Sequence, residues 1–154
     1  MIDHPPVAAG PPSSPSPVNP DDVTAAMYAN DRAATALGIV VRSTETDRAV
    51  VELTVRADMV NGLDVCHGGI IFTLADSAMA YVSNAANERA VAAQADIDWV
   101  RPARLGDVLT ATALTVHRQG RAAVHDVTVV NADGEIVALF RGRTRLVGGH
   151  HVPG

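Results

Sequence analysis

The run Cys66-His67-Gly68-Gly69-Ile70-Ile71-Phe72-Thr73-Leu74-Ala75-Asp76-Ser77 places a histidine, two glycines and one carboxylate in otherwise mostly apolar sequence. Each polar element suggests a chemistry. A partly buried carboxylate must collect hydrogen bonds or carry a raised pKa, and both suit a general base or nucleophile, so Asp76 is the candidate catalytic group. Gly68-Gly69 lets a ligand come close to the backbone. If a helix starts there, its first N–H groups lack internal partners and its dipole adds about half a positive charge, enough to hold a developing oxyanion. Other chemistries fit less well. Adjacent Cys66 and His67 point apart, whereas a catalytic Cys and His are normally distant in sequence, so Cys66 reads as a packing residue. No G-x-S-x-G elbow occurs. The six histidines include His150-His151, but no Cys or carboxylate ligand set stands at metal-like spacing, so neither a metal nor another cofactor is expected.

Around these residues, Gly69 to about Asn87 lacks proline and is rich in Ala, Leu, Met and Ile, which predicts a central helix. Thr73, Asp76, Ser77, Ala80, Ser83, Asn84 and Asn87 share one stripe of it; Ile70, Ile71, Leu74, Ala75, Ala78, Met79, Val82 and Ala86 cover the rest. Such a stripe is often a plain solvent face. This one has small neutral groups and a single charge where solvent faces usually carry Lys, Glu and Arg, which suits a cleft or a subunit interface. Gly68 and Asp76 stand about 12 Å apart along a helix axis. One helix therefore does not bring its own carboxylate to a carbonyl held at its own start. A second, antiparallel copy can, which points to a homodimeric site.

The rest of the chain supplies a frame. The Pro/Ser-rich stretch within residues 1–20 reads as a disordered tail and residues 148–154 as a flexible one, leaving a single domain at 21–147. Asp21 and Asp22 are candidate caps of a helix running to Leu37, with Gly38 as its stop. Strands are expected at Ile39–Glu45, Arg48–Arg56, Ala90–Val100, Val108–Gln119, Arg121–Asn131 and Glu135–Val147, with Gly120 and Asp133-Gly134 as hairpin signals. This is an α+β chain with an antiparallel sheet. Asn61-Gly62 marks a loop and is by itself as easily a turn as a site. His117 and His125 fall in strands, as structural or surface groups. Arg101, Arg104, Arg118 and Arg121 flank strand ends and a hairpin. Each is an ordinary surface charge taken singly, yet guanidinium forks also suit phosphate. All 12 basic residues are Arg and the net charge is −5, which argues against generic nucleic-acid binding. The charge is uneven: residues 1–89 hold 5 Arg against 11 acids, residues 90–154 hold 7 against 6. One cysteine excludes an intrachain disulfide, and with no signal-like start and no apolar run of spanning length the expected setting is cytoplasmic, away from the membrane.

The stretch "NGLDVCHGGIIFTLADSAMAYVSN" (61–84) closely resembles the acyl-CoA thioesterases of the phenylacetic-acid degradation type, which have the hotdog fold. "MYANDRAATALGI" (27–39), "DWVRP" (98–102), "GDVLTATA" (106–113) and "VALFRGR" (137–143) fit the same pattern, so the resemblance covers about residues 21–149. It implies a long central helix wrapped by a curved antiparallel sheet, with dimers that share active sites and associate as a tetramer. It also implies an acyl-CoA substrate, with an aryl-acyl group such as (hydroxy)phenylacetyl as the family-based guess. On this resemblance Asp76 is nucleophile or general base, the Gly68 amide binds the thioester carbonyl, and Asn61 and His67 lie at the reacting centre. Ser77 borders it, and with Gly69, Arg101, Arg118 and Arg121 forms the candidate substrate contacts. Two other functions share the fold: a hydratase or dehydratase, for which no second helix-borne His is evident, and a non-catalytic acyl-CoA-binding module.

Overall fold

The structure, a computed structural model, describes residues 18–153. Residues 1–17 of the expected N-terminal tail lie outside the described residues, and the remainder of that segment opens the first helix. Asn19, not Asp21 or Asp22, caps α1 (Pro20–Asn30): its side chain accepts the Asp21 N–H at 3.0 Å, and Pro20 sits in the first turn, where a missing donor is harmless. The single helix expected to reach Leu37 is two. Asp31 leaves helical geometry and accepts the Ala34 N–H at 2.9 Å, so it caps α2 (Arg32–Leu37). A short polar side chain competing for backbone donors breaks the helix there. Gly38, at φ 73°, ends α2 as expected.

Next come β1 (Val40–Glu45), β2 (Arg48–Thr54), a 3₁₀ turn at Ala57–Met59, the long helix α3 (Gly68–Asn84), β3 (Ala90–Trp99), β4 (Val108–Gln119), β5 (Ala122–Val130) and β6 (Ile136–Leu146). Every pairing is antiparallel, in the order β1-β2-β4-β5-β6-β3. β3 returns to pair with β6 at the far edge, so the sheet curves around α3 and leaves β3 with one free side. Ile71, Leu74, Ala75, Ala78, Met79, Tyr81 and Val82 of α3 are buried in a common core with Val51, Leu53, Leu109, Val127 and Phe140 of the strands. Each fully buried large side chain contributes about 1.5–3 kcal/mol. Helix and sheet meet closely at Gly142, where any Cβ would collide with Met79 Sδ, and Phe72 packs edge-on against Phe140 with ring centroids 5.4 Å apart.

The sheet carries one wholly buried titratable group. His125 on β5 hydrogen-bonds through Nδ1 to Thr115 Oγ1 (3.2 Å) and through Nε2 to Thr144 Oγ1 (2.9 Å), and it is 0% exposed. Burial, reinforced by the charge of Arg118, lowers its pKa to about 4. A depressed histidine favours the fold when neutral, and that support is lost as pH falls from the unfolded pKa of 6.5 toward about 4. The loss should approach ~3 kcal/mol. His125→Gln should flatten this limb of a melting-temperature profile; an identical profile would mean that another group controls it.

The C-terminal segment departs from the expected loose end. Asn87, buried and at φ 62°, accepts the N–H groups of His151 (3.0 Å) and Val152 (3.1 Å) on Oδ1 and donates Nδ2 to the Val152 carbonyl at 2.9 Å. His150 Nδ1 donates to the Asn87 carbonyl at 2.7 Å, and His151 Nε2 donates to Asn84 Oδ1 at 2.7 Å. Asparagine suits this position because it tolerates the left-handed backbone and carries both donor and acceptor. Asn87→Ala would delete three hydrogen bonds and strain the backbone. It should cost about 3 kcal/mol in urea unfolding; an unchanged midpoint would mean that the segment contributes nothing to the fold.

Candidate active site

The loop before α3 is built by Asn61. Its side-chain carbonyl accepts the Leu63 N–H at 2.9 Å and the Val65 N–H at 3.4 Å, while its backbone N–H donates to Val65 O at 2.8 Å. Those bonds fix which way the amide faces and leave Nδ2 as the free donor. Asn61-Gly62 is therefore both turn and site wall. A Val60–Cys66 bridge, and His67 N donating to Met59 O at 2.8 Å, then deliver the chain to the start of α3. Cys66 is buried, and desolvation with the nearby Asp107 charge pushes its thiol up to about 11, which agrees with a packing role.

His67 is the N-cap. Its Nδ1 accepts the Gly69 N–H at 2.9 Å, and its carbonyl takes the N–H groups of Ile70 (2.9 Å) and Ile71 (3.4 Å). Among the described residues no acceptor meets the Gly68 N–H. The four orphan donors of a helix start are thus reduced to one, at Gly68. That single amide borders an open cleft of about 280 Å³ lined by Asn61, Val65, Cys66, Gly68, Ile71, Trp99, Val100, Arg101 and Pro102. The cleft suits an electrophilic carbonyl: one free N–H backed by a helix dipole, one free side-chain amide and a guanidinium, with apolar walls. Arg101 also pairs with Glu135 at 3.3 Å.

Asp76 lies outside this cleft, two turns along α3. It is half-buried with Thr73, Ser77 and Ala80 on the helix face turned from the core, whereas Ser83, Asn84 and Asn87 of the expected stripe are buried. No hydrogen bond or ion pair reaches the Asp76 carboxylate among the described residues, and desolvation raises its pKa. A carboxylate so placed is a stronger base than an exposed one.

The structure thus brings Asn61, Gly68 and Arg101 together, with His67 and Gly69 forming the helix cap beside them, and leaves Asp76 and Ser77 on a separate face. Arg118 and Arg121 stand elsewhere, at the β4–β5 turn near Ser83 and the other end of α3. Arg118 pairs with Asp47 at 3.6 Å, and Arg121 donates Nε (3.1 Å) and Nη2 (2.8 Å) to the Leu146 carbonyl, so Arg121 already serves the fold. Sequence reasoning did not single out Trp99. Its indole Nε1 donates to Gly68 O at 3.2 Å and its ring lines the cleft. The available signal was its place as the sole tryptophan, at the end of a strand and two residues before Arg101.

Residues 63–138 match the family description of the thioesterase superfamily. The acyl-coenzyme A thioesterase PaaI of Escherichia coli is 48% identical over 124 residues, 80% of this chain and 89% of that protein. A putative esterase of Deinococcus radiodurans is 40% identical over 108 residues, 69% of this chain and 73% of its own length. Among solved structures, the E. coli PaaI protein from the phenylacetic acid degradation operon superposes with a TM-score of 0.84 at 45% identity, covering 85% of this chain and 95% of that one. A Streptococcus mutans protein bound to acetyl CoA gives a TM-score of 0.70 at 30% identity, covering 73% of this chain and 90% of that one.

Proposed function

Because the chain belongs to the thioesterase superfamily, in its hotdog-fold, phenylacetic-acid-degradation (PaaI-like) branch, we propose that it hydrolyses an acyl-CoA thioester to a free acid and coenzyme A. The observation that carries this is the single unclaimed amide of Gly68 at the mouth of the α3 cleft. In this reading the thioester carbonyl oxygen accepts that N–H. As the carbonyl carbon becomes tetrahedral, charge builds on the oxygen, where amide and dipole are already aimed. Asp76 attacks the carbon directly or removes a proton from the attacking water. Collapse of the tetrahedral species breaks the C–S bond and releases the CoA thiolate. On the water route this yields the free acid at once; on the direct route it leaves an Asp76 acyl anhydride that a water then cleaves to the free acid and the regenerated carboxylate. Asn61 Nδ2 positions the water or the substrate. His67 contributes as the cap that fixes the Gly69 amide. Arg101, which lines the cleft, is the best placed of the candidate phosphate contacts, and Arg118 and Arg121 would belong to a site reached from another subunit.

The carboxylate comes from a second copy, since Gly68 and Asp76 of one α3 are about 12 Å apart along its axis. A homodimer is further supported by β3, a ten-residue edge strand whose first half exposes Val91, Ala92 and Ala93, its charges Asp96 and Asp98 lying in the second half. Pairing of two such edges would continue the sheet, and two dimers would make the tetramer. The acyl group is assigned as aryl, after the E. coli relative's place in phenylacetic acid degradation. No helix among the described residues is long and apolar enough to cross a membrane.

A thiol-trapping assay over phenylacetyl-, benzoyl- and straight-chain acyl-CoAs tests the reading. Steady thiol release with preference for an aryl ester is expected. Binding without thiol release would favour the non-catalytic module, and no binding would sink both.

A further inference from the structure

We propose that Trp99 is a positioning residue that holds the oxyanion-binding amide of Gly68 in place, an inference that rests on the thioesterase reading. Gly68 has no side chain, so nothing of its own limits the backbone at this position, where a few tens of degrees would swing its N–H off a carbonyl oxygen. Two neighbours supply the missing restraint. The Gly68 N–H belongs to the His67–Gly68 peptide, whose carbonyl accepts the Ile70 and Ile71 N–H groups. The peptide on the other side of the glycine, joining it to Gly69, is held at both polar atoms: its N–H by His67 Nδ1 at 2.9 Å and its carbonyl by Trp99 Nε1–H at 3.2 Å, so that Trp99 completes the restraint on the glycine between them. The indole also fills the space of the absent side chain. A Cβ built on Gly68 would stand 3.1 Å from both Cε2 and Nε1 of the ring. The indole thus packs into the space that a side chain at position 68 would enter, beside the room the glycine leaves for a ligand.

Trp99 is itself anchored from behind. It pairs with Ala138 of β6 at the last rung of β3, and the next two N–H groups, of Val100 and Arg101, both converge on Val137 O at 2.9 and 3.2 Å. The ring therefore leaves a fixed strand end and reaches across to the helix start, yet remains 55% exposed. An exposed indole would ordinarily be a free surface group; this one spends its only donor on a carbonyl that already belongs to the first turn of α3. β3 is also the edge proposed to pair with a second copy, so assembly would stiffen the strand that carries the clamp.

Trp99 is the chain's only tryptophan, so growth of a tryptophan auxotroph on benzothienylalanine replaces one indole N–H by sulfur and nothing else. Trp99→Phe is the second donor-less form. Each should lower kcat about tenfold on the best CoA ester while KM stays within about twofold and melting is little changed. In a Gly68→Pro background, which lacks the amide and shifts the indole, Trp99→Phe should have no further effect on kcat, so this arm serves only to overturn the proposal by additivity, and its support rests on the single variants and on order at Gly68. Independently of turnover, the ¹⁵N order parameter of the Gly68 amide should drop in the donor-less forms. Unchanged kcat and unchanged order at Gly68, or full additivity with Gly68→Pro, would overturn the proposal. If the unmodified protein cleaves no CoA ester while the Gly68 amide still loosens, the positioning stands and the thioesterase reading fails.

Discussion

Asp76→Asn should lower kcat by at least about 10²-fold while making the folded protein more stable at neutral pH. Both effects follow from the same placement. The carboxylate is half-buried, meets no donor among the described residues, and has its pKa raised by desolvation. The amide keeps the shape and loses the charge, so the proposed nucleophile or base disappears while packing survives. For stability, a carboxylate with a raised folded pKa supports the fold while protonated. It loses that support as pH climbs from the ordinary value of 3.8 to the raised one. Above that window the fold carries the full cost of a desolvated charge, which Asn removes. The melting temperature of Asp76→Asn should therefore exceed that of the parent at pH 7, with the gap closing as the pH falls through the carboxylate range. The acid limb of the parent's kcat/KM profile should lie above the ordinary carboxylate value, since it reports the free enzyme's essential base. Turnover within a few-fold of the parent would remove Asp76 from the mechanism; a lower melting temperature at neutral pH would show that the assembly supplies it with a partner.

The elements that hold this site were legible wherever the cause is local. α3 announces itself by an apolar periodicity that the sheet then buries, and the turns at Gly120 and Gly134 take positive φ, as their hairpins require. The limits of β4 match the sequence reading because apolar alternation and turn residues act over neighbouring positions. What was missed depends on contacts distant in sequence. Asn87 meets Val152 across 65 positions, so a tail of His, Pro and Gly reads as loose until its partner is known. Trp99 meets Gly68 across 31 positions and looks like an ordinary strand aromatic. The sheet order, which sends β3 back beside β6, is likewise a matter of closure around α3 and not of any local motif. The stripe on α3 was half right for the same reason: periodicity gave the face, but its last third is covered by β3 and the C-terminal segment, leaving Thr73 to Ala80 open around Asp76.

The proposed division of the site between two copies leads to the second large effect. Gly68→Pro removes the one unclaimed amide and should lower kcat by about 10²–10³-fold, the usual cost of an oxyanion donor. Proline is at home in the first turn of a helix, so α3 should survive it. The added ring must displace the indole of Trp99, which a Cβ at position 68 would approach to 3.1 Å. That side chain is 55% exposed and has room to give. Circular dichroism and sedimentation should confirm fold and assembly before activity is read. If Asp76 serves the Gly68 of its partner, Asp76→Asn and Gly68→Pro chains damage different halves of each site. Each homodimer is inactive, but a mixed dimer contains one site with both intact halves and one with neither. Random pairing makes half of the dimers mixed, and each restores one site of two, so co-refolding equal amounts should return about a quarter of parental activity if sites act independently. Were both groups supplied by the same chain, every site in every dimer would retain one lesion and mixing would return nothing. The recovery thus tests the proposed arrangement: about 12 Å of α3 separates the amide from the carboxylate, and in the proposed dimer a second helix running the other way closes the gap.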